Sequence, residues 1–109
     1  MSDLPKCLLI VTAEIDPEVE DDWNKWYDEV HLPDATACPG VHGGQRYVTM
    51  QDGVTTDHGA KTVATTKVYT TIYEIDGPEV METKEFQAMR GWYHFTDRIR
   101  ATTRVVKAL

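Results

Sequence analysis

No apolar run in this 109-residue chain approaches the roughly 20 residues that cross a bilayer. The stretch "CLLIV", Cys7 to Val11, is far too short. No basic region followed by a long apolar segment opens the chain, so no export signal is expected and the cytoplasm is the expected location. Positive charge is also scarce. Eleven Lys and Arg face 18 Asp and Glu, a formal net charge of −7, which argues against a nucleic-acid partner. Cysteine is limited to Cys7 and Cys38. With no CxxC or His-x-x-x-His spacing, a zinc site is not expected, and both thiols are expected free and packed as small hydrophobes. Phosphate loops, EF-hands and a Ser-His-Asp order are missing as well. No internal repeat, linker or low-complexity segment divides the chain. Residues 1–109 therefore read as one domain, long enough for a thin two-layer core.

What charge there is falls in two places. Asp16, Glu18, Glu20, Asp21 and Asp22 gather where a first helix should start, and there they complement the helix dipole. Arg90, Arg98, Arg100, Arg104 and Lys107 crowd the C-terminal stretch, with only Asp97 against them. A solvated surface accounts for such a run. The alternative is that one or two of these arginines meet a carboxylate or phenolate ligand.

Periodicity then places the elements. "CLLIVTAEI", Cys7 to Ile15, is β-rich and uninterrupted and reads as a central strand. Asp16 and Pro17 are a good N-cap and first helical residue. Val19, Trp23, Trp26, Tyr27 and Val30 follow as an apolar helical face, with His31 at its flank. Pro33 is expected to end or bend that helix. Val41 to Met50 reads as a second strand, in which Gly43 and Gly44 signal a bulge or a close backbone approach. Gln51 to Thr66 reads as a long hairpin loop, expected to be mobile and to lie over a pocket mouth or against a partner subunit. Lys67 to Asp76 is a third strand. A helical region over Pro78 to Ala101, divided near Gly91, precedes a short last strand over Thr103 to Leu109. The order is β-α-β-β-α-β: an α+β, ferredoxin-like, four-stranded antiparallel sheet with helices on one face. Its strands carry apolar or aromatic residues on both sides, so the uncovered face is expected to pack on a second copy, giving a homodimer.

The segment "EIDPEVEDDWNKWYDEVHLPDATACPGVHGGQRYV" resembles the dimeric α/β-barrel superfamily, in its EthD-like branch. The matching features are Trp26-Tyr27, His31-Leu32-Pro33, Pro39-Gly40 and Arg46-Tyr47. "IYEID", Ile72 to Asp76, and "WYHFTDRIR", Trp92 to Arg100, are similar too. The resemblance covers nearly the whole chain except the Gln51–Thr66 loop. It implies an apolar small-molecule cavity in each protomer and no required cofactor or metal. It does not imply one reaction, since related barrels include isomerases, cyclases, cofactor-free monooxygenases, haem-degrading enzymes and proteins without known activity.

His31 matches the family histidine and is the first candidate for a proton carrier. Its bland alternative is helix-end packing against Tyr27. Asp34, three residues on, is a candidate orienter of His31. Arg46 and Tyr47 match the family pair on the second strand and, being adjacent, face opposite sides of the sheet. Tyr47 is the candidate to assist catalysis. Trp26, Tyr27, Arg46, Tyr69, Tyr73, Trp92 and His94 are candidates for the substrate-binding wall. His42 and His58 are expected to face solvent, with His58 also able to close over a pocket. The function expected is proton transfer of isomerase, cyclase or lyase type, without a cofactor, on a small apolar oxygenated compound. The alternatives are a cofactor-free monooxygenase and a non-catalytic small-molecule or haem-binding protein.

Overall fold

Leu9, Val11 and Ala13 alternate with more exposed neighbours along the first strand, and their buried side faces a layer of helices. A computed structural model describes residues 4–109. The strand, β1 (Cys7–Ile15), has the bounds its composition predicts. A 3-10 turn (Pro17–Val19) leads into α1 (Glu20–Trp26), a π-helical turn (Tyr27–His31) and α2 (Leu32–Thr36). Then come β2 (Val41–Val48), the hairpin strands β3 (Gly53–Asp57) and β4 (Ala60–Ala64), and β5 (Tyr69–Ile75). A 3-10 turn (Pro78–Glu82), α3 (Lys84–Met89), another 3-10 turn (Tyr93–Arg98) and β6 (Ile99–Lys107) complete the chain.

The main sheet has the order β2-β5-β1-β6, with every pairing antiparallel. This is the ferredoxin-like α+β arrangement. Its helix-facing side carries Thr71, Tyr73 and Ile75 of β5 beside Leu9, Val11 and Ala13 of β1, all buried. Its other side presents Leu8, Ile10, Ile72, Tyr47 and Val106, and among the described residues no helix packs there. Trp23 and Tyr27 are the anchors of the helix layer, at 0% and 1% exposure. Burying rings of that size supplies roughly 4–6 kcal/mol of transfer free energy each, before entropy is charged. Asp16 caps the first turn through the Glu18 N–H at 2.9 Å, and Arg98 ties that carboxylate to the start of β6 at 2.6 Å. The Glu18 N–H and then the Arg98 guanidinium hold the Asp16 carboxyl below its usual range.

Several expectations need correction. Pro33 does not stop the helix: α2 runs on to Thr36. The π turn makes this possible, because Leu32 N–H donates to the Tyr27 carbonyl five residues back and the wider turn relieves the clash that proline imposes on a regular α-helix. Val30, assigned to the apolar face, is 45% exposed, and His31 takes the inward place at 8%. The buried stripe is Trp23, Tyr27, His31 and Ala35, each four residues apart. In a straight α-helix every four-residue step overshoots a full turn by about 40°. The π turn takes up much of that drift.

The stretch from Pro78 to Ala101 is not one divided helix but a short α-helix between two 3-10 turns, and β6 starts at Ile99 rather than Thr103. The Gln51–Thr66 stretch is not mainly loop. It forms a separate two-stranded sheet, with His58 and Gly59 at φ +50° and +90° making the tight turn. Every residue of this hairpin is exposed. At Gly43 and Gly44 both anticipated features occur: a register shift between Val41 and Gly43, and a close approach of Gly44 to the Tyr73 ring. Cys7 and Cys38 are free thiols.

Candidate active site

A cavity of about 170 Å³ lies between the helix layer and the sheet. Its floor is Leu9, Val11, Tyr73 and Thr103 from three strands. Tyr27 and His31 reach it from the π turn. Met81, Phe86 and Met89 supply a flexible apolar wall, and the segment Arg90–Trp92 completes it. An engineered apolar cavity of about 150 Å³ holds benzene. The volume here therefore suits one six-membered ring with small substituents, and falls well short of a porphyrin.

Polar groups in this wall are few. The Tyr27 and Tyr73 hydroxyls lie 3.2 Å apart in a buried hydrogen bond. Burial first, then Tyr27, pushes the Tyr73 phenol far above its ordinary value. It therefore stays a neutral hydroxyl. The His31 ring stacks on Trp26 with centroids 4.6 Å apart and meets Tyr27 edge-on at 4.8 Å. No hydrogen bond from the described residues reaches its imidazole, which leaves its nitrogens open to a ligand. Burial pushes its pKa down to about 4, with Asp34 opposing and Arg46 adding to the shift. His31 is thus neutral at pH 7, a proton acceptor rather than a cation.

The other candidate residues are placed less uniformly. Arg46 does not line the cavity but backs it. Its Cζ sits 4.3 Å from the Tyr27 ring centre, and its guanidinium is fixed by Asp28 at 2.6 Å and Asn24 at 2.7 Å. Tyr69 is likewise held away, donating to Glu20 and accepting from Asn24 at 3.0 Å. Trp26 contributes by stacking on His31 rather than by lining the cavity. Trp92 does line it, 5.5 Å from the His31 ring centre. Three candidates stand apart from the cavity. Tyr47 points to the far side of the sheet and is 53% exposed. Asp34 is exposed and makes no hydrogen bond to His31 among the described residues. His94 is exposed, against Tyr93 and Phe95. His58, at the hairpin tip, is fully outside, and no residue of the 51–66 stretch touches the cavity. His42 faces solvent and pairs with Asp76.

Met81, Phe86, Met89 and Thr103 are cavity residues without a spacing signal in the sequence. Arg90 is different, because it belongs to the C-terminal basic run, for which a ligand contact by one or two arginines is the alternative to a solvated surface. Among the described residues there is no cluster of His, Cys, Asp and Glu able to hold a metal ion, and no helix long and apolar enough to cross a membrane.

Residues 6–83 match the family model of a domain of unknown function, DUF4286. The chain belongs to the DUF4286 family. No curated protein matches it. Two solved structures are similar across nearly its whole length. HapK from Hahella chejuensis superposes with a TM-score of 0.61 at 15% identity, covering 94% of this chain and 92% of HapK. An ethyl tert-butyl ether D (EthD) family protein from Bacillus halodurans gives 0.55 at 17% identity, covering 94% and 99%. At these identities the likeness is one of fold alone, the ferredoxin-like α+β arrangement. The DUF4286 match ends at Thr83, so α3, the Arg90–Trp92 segment and β6 lie beyond it.

Proposed function

We propose that this DUF4286 chain is a single-domain, cofactor-independent enzyme that moves a proton on a small, largely apolar, oxygenated ring compound. The observation that carries this reading is the neutral His31 imidazole in the wall of a one-ring cavity, beside two hydroxyls. A carbonyl compound bound there meets a base and a hydrogen-bond donor together. His31 takes a proton from the carbon next to the carbonyl. The C–H electron pair moves onto the carbonyl oxygen as an enolate, which Tyr27 or Tyr73 stabilises by donating a hydrogen bond. The proton then returns from His31 to the same or another carbon, so an isomerisation closes without any oxidant. An imidazole with a pKa near 4 is a weak base alone. The enolate that forms beside it in a dry cavity stabilises imidazolium and raises that value during the step.

The chain would act as a homodimer. The helix-free sheet face, with Leu8, Ile10, Ile72 and Val106, supports pairing with a second copy.

The test needs no natural substrate. Cyclohexenone and α-angelica lactone are incubated with protein in D₂O, and deuterium entering next to the carbonyl is followed by NMR. Faster exchange with the wild type, lost roughly 10²–10⁴-fold in a folded His31→Gln variant, is the expected result. Exchange that persists per folded His31→Gln molecule overturns the assignment.

A further inference from the structure

We propose that the cavity selects a single-ring carboxylate and that Arg90 binds its charge. The inference rests on the reading of the cavity as a small-molecule site, and names the substrate class for it.

Three observations converge on Arg90. It lines the cavity, and no Asp or Glu does. It has no carboxylate within ion-pair distance among the described residues, so its charge is not already taken up. Arg90 is solvent-exposed and is the one Lys or Arg among the residues lining the cavity. Arg90 and Trp92 flank Gly91, which sits at φ +115°, and all three line the cavity. Helix-end electrostatics do not account for this. The Arg90 N–H closes the last turn of α3 onto Phe86, but that bond leaves the side chain unconstrained.

The remaining surfaces fit the ring. Val11, Met81, Phe86 and Met89 are apolar, and the volume admits one ring. A carboxylate entering such a site loses hydration and needs a compensating charge. The planar guanidinium fork supplies two parallel N–H donors for it. The ring then lies inward, toward His31 and the tyrosine pair.

Benzoate and its neutral near-isostere benzamide are the probes, titrated into the full-length protein and followed through the Trp92 indole resonance. Benzoate is expected to bind at least ten-fold tighter than benzamide. Arg90→Gln should bring the two affinities together and leave benzamide unchanged, while Arg90→Lys keeps part of the preference. Arg104→Gln, on the far face of β6, should change neither. Equal binding of both probes to the wild type, no shift with either at millimolar concentration, or a preference that survives Arg90→Gln each overturns the inference. The deuterium-exchange test separates this from the proton-transfer reading. A benzoate preference that depends on Arg90 without catalysed exchange leaves the anion site standing and removes the enzyme. Exchange dependent on His31 with no benzoate preference does the reverse.

Discussion

The imidazole of His31 lies nearly parallel to the indole of Trp26, 4.6 Å between centres and 20° between planes. The two residues are five apart, the spacing that one π-helical turn brings close to a single stacked column. The stack, with Tyr27 closing the edge, removes His31 from water. Desolvation is therefore the leading cause of its low pKa.

That burial has a sign that stability must follow. His31 is ordinarily near 6.5 and is pushed to about 4 in the fold. Between those values the unfolded chain binds the proton and the folded chain does not, so stability rises with pH. The contribution is intact above 6.5 and is lost as pH falls toward 4, about 3 kcal/mol in all. Asp16 and Glu20, whose carboxyls are held low, lose their stabilising pairs only further down, below about 4. Urea unfolding at pH 7 and pH 5 should show a clear loss for the wild type and a much smaller one for His31→Gln. An equal loss in both places the titrating group elsewhere.

Gly44 controls the other side of the cavity. A Cβ built there would lie 2.7 Å from Cδ1 of Tyr73 and 3.1 Å from Cδ1 of Leu32. The Tyr73 ring is buried and bonded to Tyr27, so it has no free direction to move. Gly44→Ala is expected to cost about 1–3 kcal/mol and to weaken benzamide binding by displacing the cavity floor. Gly43→Ala is the control, because nothing lies within 4 Å of the Cβ it would add. Similar unfolding midpoints for the two variants would show that Tyr73 is not held by that approach.

The parts legible in the sequence were those governed by a simple period or a local cap. The β1 segment is a β-rich, uninterrupted apolar run, and Asp16-Pro17 is a local helix start, so the sequence places both at the residues the structure shows. Family likeness and aromatic context point to His31, Tyr27, Tyr73 and Trp92, and the four line one cavity. Sequence distance alone points to Asp34, but in the helix it is exposed. Family likeness points to Arg46-Tyr47, but alternation says only that these neighbours face opposite sides and not which is inner, and it is Tyr47 that faces outward. Met81, Phe86 and Met89 carry no period, because their segment is built from short turns whose direction depends on tertiary packing.

Pro33 does not end the helix, and the reason can be tested. A π turn is an α-helix with one residue too many. Val30 is exposed and is the natural residue to remove. Its deletion changes the buried spacing from 4-4-4 to 4-3-4, the spacing of an ordinary α-helical stripe, so His31 and Ala35 can still face inward. Pro33 then sits inside a regular helix, where the missing N–H and the clash with the preceding turn cost about 3 kcal/mol. The Val30 deletion should therefore lose about that much stability in urea. Adding Pro33→Ala to the deletion should recover most of it, while Pro33→Ala in the full-length chain should change little. The double-mutant cycle measures the coupling directly. If Pro33→Ala fails to rescue the deletion, the π turn serves to aim His31 rather than to accommodate the proline.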